Sequence, residues 1–232
     1  MNFLGHTAVA RGWTRAPAAL FGAMLPDLVG MVAAAPPGVA DPEIAGGVAL
    51  HHATDEHFHR SLQFRALAGD GARALMTRGL GRGPALAAAH VGVELLVDCA
   101  LGRDPEVAAD YLAAVAAGAP ARLAGAVFWA SPAEAARYAR LHARLVDRGL
   151  AVVDPEPATL ADRVMRVLVG RPRLAVSEPH RAAVTAYFAD ARGPVAAALP
   201  ALLARLLEDL STGFGPRAAL AAILLCGLAF PG

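Results

Sequence analysis

His51, Asp55 and His59 stand at intervals of four residues, and so do His90, Glu94 and Asp98. At about 3.6 residues per turn, that spacing advances roughly 40° per step, so each trio lines one stripe of an α-helix. Two such stripes facing each other place imidazoles and carboxylates around a common pocket, which is how helical bundles build metal centres. Charged residues make up only 18% of the chain. Six polar residues in two helical registers therefore read as a site and not as random decoration.

The rest of the chain agrees with helices. Hydrophobic residues are 56% of the sequence and aromatics only 6%, so Ala, Leu and Val must do most of the packing, and Ala and Leu head the helix-propensity ranking. No stretch sustains strand-like alternation, and the only repeat is the shared ladder spacing. The expected fold is all-α, a single helical bundle in 232 residues, with a domain over 1–217 and an apolar tail, 218–232, packed on it. The uncharged run 218–230 falls short of the roughly 18–20 residues needed to cross a bilayer, so no transmembrane segment is expected.

Capping chemistry and punctuation divide the chain. Helices are expected over 3–11, 18–24 (ended by Pro26 and Asp27), 42–67, a short stretch at 72–76, 84–101, 105–117, 120–129, 131–149, 159–169, 177–192 and 194–210. Residues 35–42 and 150–158 read as loops. Asp104-Pro105 opens a helix, and Ser131-Pro132-Ala133-Glu134 forms a capping box with proline at the first helical position.

Several function classes are disfavoured. Every basic residue is Arg, which reads as coding bias, and the net charge of +1 argues against a nucleic-acid surface. Cys99 and Cys226 are too few for a disulfide framework or a cysteine zinc site. The start lacks the basic region and long apolar core of a signal peptide, so a reducing, cytoplasmic setting is expected. The turn at 79–84 lacks the Lys and the strand-to-helix context of a Walker loop, and there is no serine nucleophile elbow.

With their flanks, the ladders resemble the acyl carrier protein phosphodiesterase family. Asn2-Phe3-Leu4-Gly5-His6 is similar to that family's Asn-Phe-Leu-Ala-His start. The segment from Gly22 through Pro26-Asp27 to Val29 resembles Gly-Asn-Leu-Leu-Ala-Asp-Phe-Val. His51 and Asp55 match a His-x-x-x-Asp element. Glu94, Asp98, Cys99 and Leu101 parallel Asp-x-x-x-Asp-His-x-Leu, and Arg171, Arg173 and Leu174 echo Arg-Arg-Pro-Arg-Leu. The landmarks keep their order over about residues 1–210. Three positions depart from the pattern: His59 stands where the family has a second Asp, Glu94 replaces an Asp, and Cys99 replaces a His.

The resemblance implies a helical fold distantly similar to HD-type phosphohydrolases and a divalent metal, manganese first, with iron or zinc as alternatives. It also implies hydrolysis of the phosphodiester joining 4′-phosphopantetheine to an acyl carrier protein, or of another phosphate ester. The expected metal ligands are His6, Asp27, His51, Asp55 and Asp98. His59, His90 and Glu94 are open between ligand, outer partner and general base, the catalytic roles. Arg60, Arg171 and Arg173 are candidates to hold phosphate oxygens. Cys99 reads as a small buried hydrophobe, and His142 and His180 as core or surface residues. Two other readings remain: a different metalloenzyme on the same scaffold, such as an iron-dependent oxidase, and a non-catalytic helical binding protein.

Overall fold

The computed structural model describes residues 1–150 and 155–214. Along them run α1 (Phe3–Ala10), α2 (Pro17–Met31), β1 (Gly38–Val39), α3 (Pro42–Arg60), α4 (Leu62–Thr77), α5 (Arg82–Leu101), α6 (Pro105–Ala117), β2 (Val127–Phe128), α7 (Pro132–Arg148), α8 (Pro157–Leu168) and α9 (Arg181–Phe214), the last preceded by a 3₁₀ turn at Glu178–His180. The fold is all-α. Its one ladder among the described residues pairs Gly38 with Phe128 and Val39 with Val127 in antiparallel register. The expected tail over 218–232, and Cys226 within it, lie outside the described residues.

Local capping places several helix starts where the sequence puts them. Asp41 accepts the amide hydrogens of Glu43 and Ile44, and Asp104 those of Glu106 and Val107, with proline at the next position in each case. Ser131 accepts from Glu134, whose carboxylate reaches back to the Ala130 amide. Each such cap contributes about 1 kcal/mol.

Elsewhere tertiary burial overrides local chemistry. Helix α2 does not stop at Pro26 but runs on to Met31. A helical φ suits proline, and Leu25, Leu28 and Val29, buried on both sides of it, hold the helix together. The two helices expected over 177–192 and 194–210 are one, α9, which contains Pro194 and Pro200. Val195, Leu199, Leu202, Leu203, Leu206, Leu207 and Leu210 form its buried stripe, and at roughly 1.5–3 kcal/mol for each large side chain this burial outweighs the prolines' cost of about 3 kcal/mol each.

The single helix expected over 42–67 is in fact two. Ser61 adopts extended backbone (φ −60°, ψ 141°), closing α3 and capping α4 by accepting from the Phe64 amide. No helix forms over 120–129, where turns lead into β2.

Helix α2 packs along α3, α4 along α5 and α8 along α9, while α1 lies among α2, α3, α5 and α6. At the α2–α3 crossing two backbones touch. A Cβ on Gly47 would collide with the Ala19 carbonyl and lie 2.7 Å from the Ala23 nitrogen, and one on Gly22 would collide with the Ile44 carbonyl. The Gly22–Gly47 pair is therefore a close-approach device. Among the described helices α5 is long and apolar enough to cross a membrane, and 61% of its most apolar window is buried inside the protein.

Candidate metal centre

The α1–α2–α3 junction gathers His6, Asp27, His51 and Asp55. His51 Nδ1 donates to the Ala23 carbonyl at 2.8 Å; a carbonyl only accepts, so this bond fixes the tautomer and leaves the Nε2 lone pair pointing inward. That nitrogen faces Asp55 Oδ2 at 3.6 Å. His6 stacks on His51 with ring centroids 3.9 Å apart, and His6 Nε2 lies 3.3 Å from Asp55 Oδ1 and 3.9 Å from Asp27 Oδ2. One ligand atom each from His6, Asp27 and His51 fall within 4.8 Å of one another.

Electrostatics leave these groups in forms that can bind a cation. Burial drives the His51 imidazole down to about 3 and also lowers His6, so both rings are neutral, the form that binds a cation. Burial pushes Asp27 up to about 7. Burial acts upward on Asp55 as well, but the Met1 ammonium 2.9 Å away pulls the other way, and Asp55 lies below the usual carboxylate range. Both ring nitrogens of His6 and Oδ2 of Asp27 are buried without a hydrogen bond. Unpaired buried polar atoms cost about 1–3 kcal/mol each. A divalent cation, whose ligand bonds are about 2.0–2.2 Å, would give one His6 nitrogen and the Asp27 oxygen a common partner.

A second group lies at the α3–α5 edge. His59 Nε2 is 2.9 Å and His90 Nε2 3.3 Å from the same oxygen, Glu94 Oε1. The two imidazoles stack at 5.0 Å and 21°. Burial acts to raise Glu94, but the two imidazoles and the Met1 ammonium hold it below the usual range. The Met1 nitrogen lies 2.9 Å from Asp55 Oδ1 and 3.3 Å from Glu94 Oε1, so a single positive charge joins the two groups.

The ladders thus converge but divide differently from their spacing. His51 and Asp55 turn toward α1 and α2, while His59, in the last turn before the Ser61 break, reaches α5. Asp98 is not gathered with either group. It is buried, and its oxygens accept the Gly5 amide at 2.9 Å and the Leu4 amide at 3.4 Å. Because Asn2 makes no side-chain cap bond, Asp98 caps α1 from another helix and so positions His6.

Arg60 is exposed and pairs with Glu56. Arg171 and Arg173 are exposed in the turn that packs its Arg173 carbonyl against Gly83. Gly83 lies seven residues before His90, about 10 Å along α5 at 1.5 Å per residue. None of the three arginines is brought into either group. Cys99 is buried, His142 Nε2 pairs with the Val115 carbonyl, and His180 bridges Ser177 and the Gly79 carbonyl. Two contributors carry no sequence signal: the Ala23 carbonyl and the Met1 amino group.

Burial raises Asp98 to about 7 despite the Gly5 and Leu4 amides, which favour its anion. Its unfolded value is 3.8, so between about pH 4 and 7 the folded state binds more protons than the unfolded chain, and stability falls as pH rises. Asp98→Asn should flatten that part of the metal-free stability–pH curve and narrow its deficit toward pH 7. Parallel curves from urea melts of variant and wild type would reject this.

Comparison with family models finds no match, and comparisons with curated proteins and with solved structures find no significant match.

Proposed function

We propose that this protein is a hydrolase of phosphodiesters that depends on a divalent cation, manganese first, held by His6, Asp27, His51 and Asp55. The reading rests on one observation above all: two neutral buried imidazoles and two carboxylates face one another with no proton shared between His6 and Asp27. When bound, such a cation neutralises phosphate oxygens and makes water a nucleophile near neutral pH. The chain's own part is orientation. The Ala23 carbonyl holds the His51 ring, Asp98 fixes the start of α1 and hence His6, and the core behind His6 closes one side of the site. The partly exposed edge formed by His59, His90 and Glu94 is the side from which a phosphate ester enters.

The ordered family landmarks favour a carrier-protein substrate, with release of 4′-phosphopantetheine. The test is incubation of manganese-loaded protein with a holo acyl carrier protein and with a simple aryl phosphodiester. Expected is cation-dependent turnover of the carrier protein that stops on chelation and returns with manganese. Turnover of the aryl ester alone would remove the carrier protein as substrate. Turnover of neither, with the cation bound, would overturn the phosphodiesterase reading.

A further inference from the structure

For His59, His90 and Glu94 the geometry points to a second divalent-cation site, distinct from the buried one. This deepens the proposal above and rests on it only for what the second cation does, not for whether it binds. Both imidazoles aim Nε2 at one carboxylate oxygen, at 2.9 and 3.3 Å, and the Met1 nitrogen approaches the same oxygen at 3.3 Å. A carboxylate oxygen offers two lone pairs, so three nitrogens oversubscribe it. A cation among the three side chains relieves the crowding, since each imidazole then presents a lone pair to the metal in place of a proton to Glu94. The three ligand atoms already lie within 4.8 Å of one another.

The rings are held ready for this. Phe64, swung under them by the break at Ser61, meets His59 edge-on at 5.2 Å and His90 at 4.9 Å. Two His and one carboxylate form a ligand set used by zinc, iron and manganese, with a further position left for water or substrate. The exposures fit an open position: 32% for His59, 46% for His90 and 13% for Glu94, against 0% for His6. The class of ligand this second cation would take is a phosphoryl oxygen of the incoming ester.

Manganese binding to the chelator-stripped full chain tests the inference, with bound metal counted by equilibrium dialysis and elemental analysis. Wild type, His51→Ala and the double variant His59→Asn/His90→Asn are compared, with Glu94→Gln as a further variant should the double one fail to melt cooperatively. Expected is two manganese ions per chain in wild type and one in the edge variant. Two ions retained by the edge variant would overturn the second site. So would one ion in wild type that survives the edge change and is lost in His51→Ala, which leaves the buried centre standing. One ion lost with the edge and kept in His51→Ala would instead support the second site and overturn the buried centre. No bound ion in wild type would overturn both.

Discussion

His51→Ala is expected to remove the buried centre's share of the manganese-dependent rise in melting temperature, leaving only that of the edge site, and to lower phosphodiester turnover by about 10²-fold or more. A cation at 100 times its dissociation constant stabilises the folded state by about 2.7 kcal/mol. For a chain of 232 residues this corresponds to a rise of roughly 5–10 °C. His51 controls that rise because the Ala23 bond holds its ring in the only tautomer that offers Nε2 to the site. The alanine variant also loses buried packing, so its metal-free melting temperature drops; the informative quantity is the shift on adding metal. Asp55→Asn serves as the near-isosteric companion and should reduce the same shift. An unchanged shift in both variants would remove His51 and Asp55 from the centre.

Gly47→Ala is expected to damage the protein more than any other single methyl group added to α3. The new Cβ meets the Ala19 carbonyl and the Ala23 nitrogen, which are backbone atoms of α2 and cannot rotate away. Relief requires α2 and α3 to separate, and overpacking of this kind costs typically 1–3 kcal/mol and more where backbone is struck. The damage reaches the site because α2 carries Asp27 and the Ala23 carbonyl, and α3 carries His51 and Asp55. Metal affinity should therefore fall together with stability. Gly46→Ala is the control, since nothing lies within 4 Å of a Cβ there. Helix propensity alone predicts a gain of about 1 kcal/mol for that change. Urea melts and manganese titrations of the two variants decide the matter; equal stabilities would show that the helices are not in backbone contact.

What the sequence made legible follows the range of the interactions involved. Asp41, Asp104 and Ser131 cap helices through contacts two or three residues away, so those starts can be read directly. Pro26 and Pro194 read as boundaries, yet the helices continue because Leu28 and the leucines of α9 are buried against other elements, information that lies far along the chain. Ser61 carried the converse trap, since helical periodicity runs through it while its hydroxyl caps the next helix. The ladders were legible as helix stripes, and their convergence followed. Their division did not, because it depends on where α3 ends. Asp98 shows the limit most plainly: its spacing placed it with Glu94, whereas its oxygens meet amides at Leu4 and Gly5, more than 90 positions upstream.

That last contact sets an order of events during synthesis. Helix α1 has eight residues, too few to persist alone in water, and the carboxylate that closes its first turn belongs to residue 98. At about 5–20 residues per second, a nascent chain waits roughly 5–20 s between making His6 and making the residue that holds it in place. Over that interval the opening segment is apolar and uncapped. Limited proteolysis of ribosome-bound chains arrested before and after α5 should find the first ten residues cleavable in the shorter set and protected in the longer one. The centre is thus completed by its earliest-made residue arriving last.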